Sequence, residues 1–176
     1  MNASTGRQAY TSPTVAPPSN GSSDMSWNHV ETQSDADRLL ETFGGFHDGC
    51  LHELHLWTGY SVNAEFMMTC ATESGLGIRI LVQRQGDSPS AIEMLFTGVR
   101  RLSVVDRVNY DSIIYSATLL VRDGLIYWAT DDDWLPESPK ADQTTFVSAQ
   151  HLAWRDASDW MGDSFRVGLG PPAEPV

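Results

Sequence analysis

A chain of 176 residues, 41% hydrophobic and 19% charged, has room for one domain with a real core and too little for two. Eleven Lys and Arg against 23 Asp and Glu give a formal charge of -12 at pH 7. That surface repels phosphate backbones and anionic bilayers, so it disfavours nucleic-acid and membrane roles and suits a basic protein partner.

Two cysteines, Cys50 and Cys70, are too few for a disulfide scaffold. Each lies in an apolar run and reads as a buried free thiol. The first residues lack the basic start and continuous apolar run of a secretory signal, and polar residues interrupt every apolar run, so a cytoplasmic location is expected.

Residues 1–28 are rich in Ser, Thr, Pro, Asn and Gly and read as a disordered tail, because they offer little apolar area against chain entropy. Residues 29–165 form the expected single domain. Residues 166–176 contain three prolines and read as a flexible C-terminal tail.

The first expected element is a short helix. Ser34 followed three residues later by Asp37 resembles a capping box, Leu39, Leu40 and Phe43 form an apolar stripe, and Gly44 with Gly45 ends it.

The spacing then changes to alternation. Over residues 50–57, Cys50, His52, Leu54 and Leu56 fall on one face of a strand and Leu51, Glu53, His55 and Trp57 on the other. A second strand is expected through A-E-F-M-M-T-C-A, with Phe66, Met68 and Cys70 on one face. Ile78, Ile80 and Val82 then point inward with Arg79 outward, and Ile92, Met94 and Phe96 repeat the pattern. Further strands are expected over residues 101–105, 112–121, 125–129 and 145–153. Asp123-Gly124 between apolar runs has the chemistry of a tight hairpin turn.

Short connections and many strands point to a mainly β, α+β fold. The expected form is an antiparallel meander, as a two-layer sandwich or a curled, partly closed sheet, with one short N-terminal helix.

Two segments invite a functional reading. The run F-H-D-G-C-L-H-E-L-H-L-W starts at Phe46 and holds His47, Cys50, His52 and His55, side chains of the type that bind zinc and serve metal-dependent hydrolysis. A metal would need three or four of them to converge, and strand alternation sends Cys50 and His52 one way and His55 the other. Metal binding is therefore the alternative reading. A structural account gives Asp48 an Asx-type turn and puts Glu53, His55 and Trp57 on a solvated face.

The second segment is Y-W-A-T-D-D-D-W. Asp131, Asp132 and Asp133 lack the alternating ligand spacing of a calcium loop. Flanked by Trp128 and Trp134, and together with Trp57, they are candidates for a protein interface. The chain contains no phosphate-binding loop, no dinucleotide fingerprint and no serine nucleophile elbow, so no catalytic residue is assigned and no cofactor is expected.

The F-H-D-x-C-L-x-E start, Phe46 to Glu53, followed by antiparallel strands, resembles a group of small bacterial proteins of unassigned function. Some of these are similar to immunity proteins encoded near polymorphic toxins. The resemblance extends over residues 46–128. It implies an intracellular protein-binding role and transfers no catalytic residue, and the acidic balance of the chain suits neutralisation of a basic toxin. A self-associating structural protein, and so a homo-oligomer, is a third and separate reading.

Overall fold

The computed structural model describes residues 27–70, 75–86, 88–105 and 112–165. Of the expected tails, residues 1–26 and 166–176 lie outside the described residues. Asn28 does not belong to a tail. It opens strand β1 (Asn28–Val30), which pairs antiparallel with a strand near the other end of the chain.

Helix α1 (Gln33–Thr42) starts two residues earlier than the Ser34 signal suggests. Thr32 is the N-cap, its hydroxyl accepting from the Asp35 backbone N–H, while the Asp35 carboxylate accepts from the Thr32 backbone N–H at 2.9 Å. Asp35 can close this reciprocal pair because it stands three residues after Thr32. Ala36, Leu39 and Phe43 make the buried stripe, and a 3-10 turn over Gly44–Phe46 leads out of the helix.

Eight strands form one antiparallel sheet. After β1 come β2 (Gly49–Trp57), β3 (Tyr60–Val62), β4 (Met68–Cys70), β5 (Gly77–Arg84), β6 (Ala91–Ser103), β7 (Ile113–Ile114), β8 (Thr118–Arg122), β9 (Leu125–Ala129) and β10 (Phe146–Asp156). The main sheet runs β7-β2-β5-β6-β10-β9-β8, with β1 on β10, and β3 and β4 pair apart as a two-stranded sheet. Asp123 and Gly124, at φ 53° and 73°, make the tight β8–β9 turn.

The sheet curls into a half-barrel. β7 and β8 are its opposite edges, yet only Tyr115, Ser116 and Ala117 join them. The steps from Ile114 to Thr118 reach about 14 Å at most, whereas a flat sheet would hold these edges about 29 Å apart. The expected single strand over residues 112–121 is therefore two short strands, with the chain crossing the open side between them. The strand expected over residues 101–105 is instead the end of the long β6.

Inside the trough Leu39, Phe43 and Phe46 pack with Ile80, Met94 and Trp128. The rings of Phe46 and Trp128 are 5.8 Å apart, and the Ala117 N–H donates to the Gly45 carbonyl, so the helix and its 3-10 turn plug the open side. The Gln33 side chain reaches β8, donating to the Leu119 carbonyl and accepting from the Val121 N–H. That amide occupies polar groups an edge strand would otherwise leave open. No helix among the described residues is long and apolar enough to cross a membrane.

Candidate functional site

The His-rich run occupies β2, and its alternation breaks at His52. Leu51 pairs with Val82 and Glu53 with the next residue, Leu81, so His52 is the extra residue of a bulge. Leu51 thereby joins Leu54 and Leu56 on the trough side, opposite Val82, Ile80 and Ile78. Cys50, Glu53, His55 and Trp57 fall together on the outer side, opposite Gln83, Leu81, Arg79 and Gly77. The expected division of faces is thus corrected, because one inserted residue reverses the phase of everything before it.

Sharing a face does not gather the expected ligands. Among the described residues no three His, Cys, Asp or Glu side chains are placed to hold a metal ion. His47 is exposed, with Nδ1 3.1 Å from the Asp48 carboxylate. Asp48 shapes the turn through its own backbone, at φ 56°, and its carboxylate meets that ring rather than the backbone amides expected of an Asx turn. Cys50 is exposed, contrary to the buried thiol expected, because the residue beside the bulge faces out. It borders a pocket of about 270 Å³ with Asp48, Gln83, Arg84 and Met161. Only the backbone of Cys70, in β4, is described.

His52 stacks on Phe165 at 5.6 Å. Its buried Nε2 makes no hydrogen bond, with Glu53 Oε1 3.9 Å away. Glu53 is buried, not solvated as expected. His55 meets Trp57 edge-on at 5.8 Å, and Trp57 lies on Gly77, whose missing Cβ leaves the ring its place.

Beyond Leu81 on the same outer face stands a residue that sequence reasoning missed. Glu93 is fully buried and pairs along the sheet with Leu81 on one side and Arg155 on the other. Arg155 Nε donates to Glu93 Oε2 at 2.6 Å, and Arg79 Nε lies 3.7 Å from Oε1. The Arg155 guanidinium is flanked by the rings of Trp27 at 4.7 Å and Trp160 at 5.2 Å. With two cations beside one carboxylate, this centre is neutralised within the chain, and it ties Trp27 and Trp160 to the sheet. Its signal in the sequence was a glutamate at a strand position between apolar neighbours.

The acidic run is placed differently from its tryptophans. Asp131, Asp132 and Asp133 are exposed. Trp134 is buried with Phe146, Ala129 and Ala141, and Trp128 is fully buried in the trough. Neither tryptophan offers contact area to a partner, which corrects the expectation for both. The two rings supply apolar surface that the outer face and the trough need. Nearby, Arg122 donates to Glu137 at 2.9 Å and holds that carboxyl below the usual glutamate range, while the same pairing raises the Arg122 guanidinium.

Apolar surface is left open on the β3–β4 hairpin, where a single strand through Phe66, Met68 and Cys70 was expected. Residues 63–67 form a turn instead, with the Asn63 side-chain oxygen accepting from the Glu65 and Met67 N–H groups at 3.1 and 2.9 Å. Asn63 is the sequence signal for that turn. In the paired strands Val62 stands opposite Met68, and Tyr60 lies two residues from Val62 on the same face, with Ser61 on the other. Tyr60, Val62 and Met68 are 67%, 60% and 74% exposed, and Phe66 at the turn is 91% exposed.

Compared with known protein families, curated proteins and solved structures, the chain matches none.

Proposed function

We propose that the chain is a protein-binding module, not a catalyst, and that it docks a basic partner through the apolar face of the β3–β4 hairpin. The observation that carries this reading is the shared exposure of Tyr60, Val62 and Met68 on one face of a two-stranded sheet. A hairpin of that size is marginal alone, and a contiguous exposed apolar face beyond the main sheet is what an interface leaves open in the unbound chain. The partly exposed Trp57 precedes the hairpin in the chain.

The charge of -12 sets the partner's character. Like charge opposes a second copy, whereas a basic protein is steered in. Neutralisation of a basic toxin, in the manner of an immunity protein, is the specific form suggested by the F-H-D-x-C-L-x-E resemblance, and Asp131, Asp132 and Asp133 add to the attracting field.

The test uses the full chain as bait in an extract of its native cells, beside a Tyr60→Ser/Met68→Ser variant. The expected result is one basic protein retained one-to-one by the native chain, lost with the variant and weakened by salt. Equal retention by both baits, an acidic partner, or a native chain that light scattering shows to be a dimer would overturn the proposal.

A further inference from the structure

We infer that Phe66 is the anchor of this interface, a rigidly presented aromatic plug that enters an apolar socket on the basic partner. The inference rests on the binding reading above and adds how the hairpin engages.

Three observations converge on the turn. Phe66 adopts φ 62°, a conformation that bulky L-residues rarely hold, so the backbone is strained at this residue. Its side chain is 91% exposed, so burial against the described residues does not offset the strain. The strained shape is nevertheless fixed by hydrogen bonds: Phe66 N–H donates to the Asn63 carbonyl at 3.0 Å, Asn63 N–H to the Met67 carbonyl at 3.0 Å, and the Asn63 side chain accepts from Glu65 and Met67.

A loop locked into a strained shape that projects an aromatic ring into water has its ordering cost met before binding, which is the property of an effective contact residue. Phe66 thus differs from Tyr60, Val62 and Met68, which share one face of the paired strands. Asn63 is a positioning residue, acting through the turn it holds.

The socket's chemistry follows from the neighbours. Glu65 is the sole charged side chain in residues 59–70 and is exposed beside Phe66. The fitting partner surface is an apolar pocket of aromatic size with Lys or Arg at its rim. The charge of the whole chain favours the same sign. An anionic bilayer is disfavoured by that charge, and a second copy of the chain carries the wrong sign.

The experiment places the photocrosslinker p-benzoylphenylalanine at position 60, 66 or 68 of the full chain in its native cells, and identifies each adduct by mass spectrometry. The expected result is a basic protein trapped from position 66, at residues lining an apolar pocket. Unlabelled Phe66→Ala should compete for that adduct about 30-fold less well than the native chain. Asn63→Leu should also compete poorly and Asn63→Asp, which keeps the acceptor oxygen, should recover most of the competition.

Trapping from positions 60 or 68 but not 66 would overturn the anchor and leave the binding reading standing. An adduct from position 66 with lipid or with a second copy of the chain would overturn the anchor's assignment to a basic partner. The absence of adducts from all three positions would remove both readings.

Discussion

The outer-face centre at Glu93 and the β3–β4 hairpin depart from the ordinary division of polar and apolar surface in opposite directions. Glu93 is a charge removed from water, and the hairpin is apolar surface left in it. The first is resolved inside the molecule, because Arg155 and Arg79 neutralise the carboxylate and two tryptophans cover the Arg155 guanidinium. The second has no such resolution among the described residues. A buried charge that its own chain neutralises explains stability, whereas an apolar face left uncovered is free for contact.

The largest effect should come from separating the partners at the buried centre. Arg155→Met leaves Glu93 buried beside Arg79 alone and should cost about 3 kcal/mol or more in denaturant unfolding. Combining it with Glu93→Leu should return much of that loss, since the orphaned charge is gone. If the single and double variants lose equal stability, the centre is not an internally neutralised pair and the contrast with the hairpin weakens.

Next in size is Gly77→Ala, whose Cβ would fall on the Trp57 ring. Displacing that ring should cost about 1–3 kcal/mol, and a Trp57 fluorescence change should accompany the lower denaturation midpoint. Unchanged fluorescence would mean that Trp57 does not lie where the contact requires.

Thr32→Ala removes the helix cap and should cost about 1 kcal/mol at neutral pH. Asp35 sharpens this test, because the Thr32 hydroxyl, followed by the backbone N–H groups of Thr32 and Glu31, holds its carboxyl below the ordinary aspartate value. A value lower in the folded than in the unfolded chain stabilises fully above the unfolded value and ceases as pH falls through the folded one. The gap between native and Thr32→Ala unfolding curves should therefore narrow on acidification below about pH 4, and a constant gap would contradict the reciprocal cap.

The smallest effect on stability belongs to the hairpin. Tyr60→Ser with Met68→Ser should shift unfolding by no more than about 0.5 kcal/mol, as exposed positions do, while removing partner binding. A large loss of stability would show that these side chains support the fold.

Much of this architecture was legible from alternation alone. Ile78, Ile80 and Val82, then Ile92, Met94 and Phe96, announce a buried face, and Asp123-Gly124 announces its turn, because each rests on a local rule. The bulge at His52 was not legible, since an inserted residue leaves no compositional mark and is seen only in the pairing of Leu51 and Glu53 with β5. Trp128 and Trp134 misled for a related reason. Proximity to three aspartates in sequence suggested exposure, but their rings turn into apolar clusters that form only when distant strands meet. The hairpin was partly legible: Phe66 and Met68 were marked as strand residues and Tyr60 and Val62 were not, and the turn that separates Val62 from Met68 was overlooked because Asn63 forms it without a glycine.

Hydrogen–deuterium exchange of the full chain, alone and saturated with the protein it retains, locates the interface. Slowed exchange is expected in residues 59–70 on binding, with β5 and β6 unchanged. Unaltered exchange there, with new protection around Asp131, Asp132 and Asp133, would place the partner elsewhere and contradict docking through the hairpin.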